Sequence, residues 1–209
     1  MIFVGRKKEI TAILKSLEKG ENVILTGHYG MGRTSLIRHI SQLAQDKWHF
    51  VFTDFSQTAK VICAASLSEL GGGRLELQSL NFKSVRGRLG RFDSSDARHT
   101  ILVMDNIAKL TPQKYNLIRY LKMQNRFQFI AITEPFLKLH ELDKLRGQLL
   151  PAQFICLSYL NRNDSVELVA CLCRACGTEA NREAIAFLAA STHGYPLGIH
   201  NTFQSKRPR

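Results

Sequence analysis

Val23 to Ser35 reads VILTGHYGMGRTS, and the fold turns on it. An apolar, β-branched run over 22–26 gives way to Gly27, Gly30 and Gly32, after which Arg33, Thr34, Ser35, Leu36 and Ile37 open a helical pattern. Strand, glycine loop and helix follow in that order, with four residues between Gly27 and Gly32 and a hydroxyl at Thr34. This is the pattern of a phosphate-binding loop. Its glycines let backbone N–H groups converge on an anion, and the helix that follows turns its positive end toward the same place. One position departs, because Lys ordinarily follows the last glycine and here Arg33 does. Arginine keeps the charge but is longer, planar and forked, so it cannot fill the pocket of a compact ammonium in the same way.

Outward from the loop, the alternation repeats. Before it, Ile10, Ile13, Leu14 and Leu17 recur at helical spacing until Gly20. After it, the helix has Leu36, Ile37, Ile40, Leu43 and Ala44 for its buried face. Trp48 to Asp54 reads as a second strand, and 58–70 as an apolar helix with Val61, Ile62, Ala65 and Leu70 inward, broken by Gly71 to Gly73. His99 to Asp105 (HTILVMD) is the continuous apolar run of a strand buried on both faces. Thr111 caps the next helix with Pro112 at its first position. A strand at Phe127–Thr133, a helix from Pro135 to Arg146 and a strand at Gln153–Leu157 complete the series. Between these, Leu75, Leu77, Leu80, Phe82, Val85 and Leu89 fit a helix or a hairpin. The expected fold class is α/β, a three-layer sandwich around a mostly parallel five-stranded sheet. From Leu160 onward the strand patterns stop. Asn161 to Asp164 caps a helix running through Cys176, Gly177 ends it, and a second helix spans Asn181 to Thr192. The expected organisation is a core over 1–159 and a small helical lid with a basic tail over 160–209.

The 209 residues are 44% hydrophobic and 22% charged, the composition of a folded globular chain. No apolar run approaches the ~18 residues of a membrane span, and MIFVGRKKEI lacks the apolar core of a signal peptide. A cytoplasmic protein without a membrane partner is expected. Cys63, Cys156, Cys171, Cys173 and Cys176 read as reduced core residues, since no second cysteine pair mates with the last three to make a zinc site. A net charge of +12 points to a polyanionic partner, most commonly nucleic acid, with an acidic protein giving the same sign. The charge concentrates at Lys83, Arg86, Arg88, Arg91 and Arg98, where Gly87 and Gly90 and only two compensating acids, Asp93 and Asp96, suggest a basic loop that contacts nucleic acid, and in the tail at Lys206, Arg207 and Arg209.

Asp105 ends a buried strand about seventy residues beyond the loop, where an acid would position Mg2+ together with the Thr34 hydroxyl. Its neighbour is Asn106, which can orient a water but cannot take a proton from it. The next strand ends at Thr133, a polar residue placed to meet a terminal phosphate or a water, followed by Glu134, which nothing in the sequence aims. Asp54 ends a strand expected at the sheet edge and is ranked lower for that reason. His28 and Tyr29 lie within the loop, Tyr29 able to stack on a base.

FVGRKKEI, GHYGMGRT, ILVMDN, FIAIT, LSYLNRNDSVELV and GYPLGIHN occur in an order and spacing that resembles AAA+ ATPases of the origin-recognition, STAND and transposition-helper kind. Residues 99–201 look most like the secretion-pathway A-type and transposon-helper group. The resemblance implies ATP or ADP with Mg2+ as cofactors. It places Val4, Gly5 and Arg6 near the adenine and gives Gly27, His28, Tyr29, Gly30, Met31, Gly32, Arg33, Thr34 and Ser35 the phosphates. Thr34 and Asp105 would serve the metal, Asp105, Asn106 and Thr133 the chemistry, and Pro196 the lid side of the nucleotide. It also implies an arginine given to a neighbouring subunit, for which Arg146 and Arg119 are both candidates. Where related ATPases carry an Arg after this Pro, the chain has Leu197. Arg33, Asn106 and Leu197 depart together at one reacting phosphate. The expectation is a nucleotide-binding protein weak or inactive in hydrolysis, an accessory factor on DNA or in a larger assembly with a protein partner or with copies of itself. Two alternatives stand beside it, an active DNA-stimulated ATPase of transposition-helper or initiator type and a nucleotide-free scaffold working through protein contacts.

Overall fold

Continuous apolar runs along the central strands require cover on both faces of a sheet, and the arrangement of helices follows from that. The structure, a computed structural model, describes residues 2–71, 80–92 and 97–204. Five strands, β1 (Asn22–Gly27), β2 (Trp48–Asp54), β3 (His99–Ile107), β4 (Phe127–Thr133) and β5 (Ala152–Leu157), form one sheet in the order β2-β3-β4-β1-β5. Every pairing is parallel. Odd and even residues divide between two cores. Val23, Leu25, Ile101, Val103, Ile130 and Ile132 meet α1 (Lys7–Glu18) and α2 (Arg33–Leu43) on one face. Ile24, Leu102, Met104, Phe129 and Ala131 meet α3 (Ala59–Glu69), α4 (Phe82–Arg91), α5 (Pro112–Met123) and α6 (Leu139–Leu149) on the other. The three-layer α/β sandwich is therefore as expected, and its sheet is wholly parallel.

Local chemistry sets the helix starts. The side chains of Thr58, Asn81, Thr111, Asn161 and Asn181 each accept from the backbone N–H three residues on, satisfying a donor that the helix itself leaves free. Polar residues inside the sheet are also paired. Asn22 donates to Leu149 O at 2.6 Å and accepts from Phe129 N at 2.8 Å, tying β1 to β4 and to the turn before β5.

After β5 the described chain is helical. α7 (Arg162–Ala175), α8 (Arg182–Ser191) and α9 (Pro196–Gln204) enclose a separate core of Leu160, Leu168, Val169, Leu172, Ala189, Ile199 and Phe203, against which Ile2 and Val4 also pack. Proline at the first position of α9 suits a helix start, although the sequence reading had no helix there.

Several expectations need correction. Leu43 is 58% exposed, leaving Leu36, Ile37, Ile40 and Ala44 inward. On α3 the buried stripe is Ala59, Ile62, Cys63, Ser66 and Leu67, while Val61 and Ala65 face out. α6 begins at Leu139, not Pro135, because Glu134 to Leu137 form a turn closed by Leu137 N–H on Glu134 O at 3.1 Å. Cys156 and Cys176 are exposed, not core. The supposed basic loop is helix α4. Val85 and Leu89, one turn apart, are buried, and Gly90 lies so close to the Tyr120 ring that a Cβ would sit 2.5 Å from it. The helix-or-hairpin expectation over 74–98 is thus met as a helix at 82–91; 72–79, 93–96 and the tail with Lys206, Arg207 and Arg209 lie outside the described residues.

Candidate functional site

In a parallel sheet a crevice opens at the carboxyl ends of the strands where the chain order changes direction. Here β1 lies between β4 and β5, while the next strand in sequence, β2, is at the far edge. The loop after β1 opens at that switch point. Gly30 (φ 78°) and Gly32 (φ 82°) adopt left-handed backbone, which costs glycine nothing and other residues strain. Gly32 caps α2 with no side-chain acceptor on its first turn, so the helix's leading N–H groups have no side-chain partner at the loop. His28 and Tyr29 are exposed at the loop tip, outside the adjoining cavity, while Met31 is buried in the core and lines it.

That cavity, about 330 Å3, is bounded by Gly30, Met31, Gly32 and Ser35 of the loop. Ile2, Phe3, Val4 and Arg6 close it from the N-terminal segment, and Leu160, Leu168, Pro196, Leu197 and His200 from the helical segment after β5. It is mostly apolar with a few polar groups, as small-ligand sites are, and lies at the lower end of their size range. Arg6 is buried with φ 60° and donates to Met31 O at 3.3 Å and Glu9 Oε1 at 3.2 Å, fixing the segment against the loop. Gly5 does not line the cavity; it backs onto Asp164, where a Cβ would lie 2.5 Å from the carboxylate. The start of α9 is tied directly to the loop, since Leu197 N–H donates to Gly30 O at 3.2 Å. Burial on α9 holds the His200 imidazole below its usual pKa.

On the other side of the loop, Thr34 Oγ1 lies 3.1 and 3.0 Å from the two carboxylate oxygens of Asp105. Asn106 has φ 58°, a conformation asparagine tolerates better than most residues. Its amide donates to Asp54 Oδ1 at 3.2 Å. Desolvation raises the Asp54 pKa, but hydrogen bonds from Ser56, Asn106 and Gln57 outweigh it and leave the carboxyl below its ordinary value. Asp54 was ranked low for its edge strand; that strand is at the edge, yet in register with β3 it stands opposite Asp105. Edge position excluded it from the sheet centre, not from the crevice.

Arg33 differs most from expectation. Its guanidinium is buried and donates through Nη2 to Glu134 Oε2 at 2.8 Å and through Nη1 to the Thr133 carbonyl. Glu134, unaimed in sequence, is aimed by Arg33. Thr133 is buried at the end of β4 and its hydroxyl has no hydrogen-bond partner among the described residues. An orphaned buried hydroxyl normally has a partner that completes it. Of the arginines considered for a neighbouring site, Arg146 and Arg119 are both exposed, and Arg146 packs over the Phe154 ring at 4.4 Å. Arg86 is also spoken for, its guanidinium stacked over Tyr120 at 4.5 Å and Phe82 at 5.5 Å. It anchors α4 to α5 and is half-buried, whereas Lys83, Arg88 and Arg91 are exposed.

The residues present fit a nucleotide. Left-handed glycines leave a cradle that side chains would fill, the adjoining cavity is apolar, a hydroxyl and a carboxylate stand together as hard oxygen donors suited to Mg2+, and a buried hydroxyl lacks a partner. Sheet order, loop and site together define the P-loop nucleotide-binding class. A family model described as AAA ATPase domain matches residues 2–128, and the chain belongs to that family. Among solved structures, the RuvB Holliday junction branch migration motor of Thermotoga maritima is 18% identical, over 97% of this chain and 61% of its own, with a TM-score of 0.61. Cdc6p from Pyrobaculum aerophilum is 16% identical over 98% of this chain and 65% of its own, at 0.67. The Aeropyrum pernix ORC2 protein, solved in ADPNP-ADP complexes, is 12% identical over 93% and 59%, at 0.65. These likenesses are of fold, and the chain spans 59–65% of the length of those three structures. No curated protein matches it in sequence. Among the described residues, no helix is long and apolar enough to cross a membrane.

Proposed function

We propose that this chain is an AAA+-like module that binds ATP or ADP, hydrolyses ATP slowly or not at all, and serves as an accessory factor on DNA or within a larger assembly. Val4 and Arg6 with Pro196 would flank the adenine, the backbone of 27–35 would hold phosphates, and Thr34 and Asp105 would hold Mg2+. When bound, the nucleotide supplies the anhydride and the metal the charge that offsets it. The single observation that carries the slow-hydrolysis reading is the buried engagement of Arg33 with Glu134 and the Thr133 carbonyl. Arg33 is thereby withheld from the phosphates, and Glu134, the nearest substitute for the absent base, is paired off. Asn106 completes the pattern, having no proton-accepting carboxylate. Residues 160–209 would act as the lid, docked by the Leu197–Gly30 bond.

The nucleic-acid part rests on the net charge of +12 and on α4, where Lys83, Arg88 and Arg91 are exposed on a helix without an acid. RuvB, a structural neighbour, is a Holliday junction motor, which is consistent with work on DNA.

Nucleotide binding is tested by thermal unfolding with ADP and with ATP, since ligand at a hundred times its dissociation constant adds about 2.7 kcal/mol. Turnover is then measured for the chain and for Arg33→Lys. The reading expects stabilisation by nucleotide with little phosphate release, and a rise in release for Arg33→Lys. Absence of any stabilisation at millimolar nucleotide would leave the scaffold alternative, and rapid turnover by the unaltered chain would leave the active ATPase.

A further inference from the structure

We propose that Glu134 is a specificity-determining residue, an internal anion that Arg33 must release before the site accepts a third phosphate, so that the resting chain favours a nucleoside diphosphate over a triphosphate. The inference rests on the nucleotide-binding reading above.

Arg33 stands directly after the last loop glycine, and its side chain is 8% exposed. Two of its N–H groups go to two acceptors, Glu134 Oε2 and Thr133 O, both at the end of β4. A guanidinium meets a phosphate through a forked pair of donors, and the fork that Arg33 presents to Thr133 O and Glu134 Oε2 is not available to a phosphate while those bonds stand. Glu134 is not free to follow. Its backbone N–H donates to Ile107 O at 2.9 Å and its carbonyl closes the turn to Leu137, while its side chain is 14% exposed. Solvent screens such a pair poorly.

The loop has two unlike sides. The cavity meets it at Gly30, Met31, Gly32 and Ser35, whereas Thr34 and Arg33 engage Asp105 on β3 and Glu134 beyond β4. A phosphate chain leading out of the cavity reaches those two carboxylates last. A diphosphate needs only the backbone cradle; a further phosphate gains the Arg33 cation only if Arg33 changes partner, which leaves the Glu134 carboxylate unpaired beside it. The cost of that exchange falls on the triphosphate alone.

The test is calorimetric binding of ADP and of a non-hydrolysable β,γ-imido analogue of ATP, both with Mg2+, to the unaltered chain, to Glu134→Gln and to Arg33→Lys. The glutamine keeps shape and an acceptor for Arg33 but removes the charge. The lysine keeps the charge but lacks the fork. The expected result is a preference for ADP in the unaltered chain and a shift of the affinity ratio toward the triphosphate by about tenfold in Glu134→Gln, since a charge-assisted hydrogen bond is being exchanged. Arg33→Lys shifts it in the same direction and decides the matter alone if Glu134→Gln fails to fold. A merely structural role for the pair would weaken both ligands together and leave the ratio still. An unchanged ratio in the variants, or a shift toward diphosphate, overturns the inference while leaving nucleotide binding intact. If neither ligand binds the unaltered chain, the binding reading itself falls.

Discussion

Gly30→Ala tests whether the lid is held on the phosphate loop. A Cβ at Gly30 would lie 2.5 Å from Tyr195 Oη and 2.7 Å from Leu197 Cβ, with the backbone at φ 78°. Two costs add, about 1 kcal/mol for a side chain in left-handed backbone and roughly 1–3 kcal/mol for overpacking. Gly20→Ala separates them, because Gly20 has nearly the same φ, 73°, with nothing within 4 Å of the added atom. Gly20→Ala should therefore cost about 1 kcal/mol and Gly30→Ala about 3 kcal/mol. At this chain length 3 kcal/mol lowers Tm by roughly 6–12 °C. Should the lid instead lift to relieve the clash, the core melts nearer its original temperature and trypsin cuts sooner at Arg162, Arg174 and Arg182. Thermal melts and timed proteolysis of both variants distinguish these outcomes, and either supports the docked lid. A Gly30→Ala protein that matches Gly20→Ala in both assays would refute the contact between α9 and the loop.

Two other perturbations follow from the same geometry. Replacing Lys83, Arg88 and Arg91 together by Ala should weaken duplex DNA binding and reduce the slope of log affinity against log salt by about 2.7, which is 0.9 for each of three phosphate contacts; replacing the exposed Lys7, Lys8 and Lys19 is the charge-matched control, and equal losses in a polarisation titration would reduce the effect to net charge. His200 titrates below 6.5 in the folded chain, so the native state binds fewer protons than the unfolded state as pH falls through 6.5. Stability is therefore full above 6.5 and declines below it until the folded imidazole also protonates. Denaturant melts across pH 5–8 should show this decline in the unaltered chain and a flatter profile for His200→Gln; identical profiles would place His200 in water.

Much of the fold was legible because its determinants are local. The glycine loop, the buried strands and the caps at Thr111 and Asn161 depend on neighbours within a few residues, and a run such as ILVM at 101–104 states its burial on both faces directly. Helix faces were less legible. Leu43 and Val61 are apolar at helical spacing but exposed, since periodicity fixes an arc and not which part of it a neighbour covers. α4 gave two signals, a helix or hairpin from Phe82, Val85 and Leu89 and a basic loop from its glycines and charge; one of those glycines, Gly90, is a contact surface for Tyr120.

The site divides the same way. From sequence alone came the class of loop, the pairing of Thr34 with Asp105 and the departure at Arg33, all consequences of residue type at fixed spacing after a strand. Tertiary structure decided what Arg33 does, because its partner Glu134 is 101 positions away and comes within reach only when β4 lies beside β1. It also brought Asp54 to Asp105 and His200 to the cavity. A sequence carries side-chain chemistry explicitly, whereas which charges meet depends on strand order and burial, which long-range packing sets.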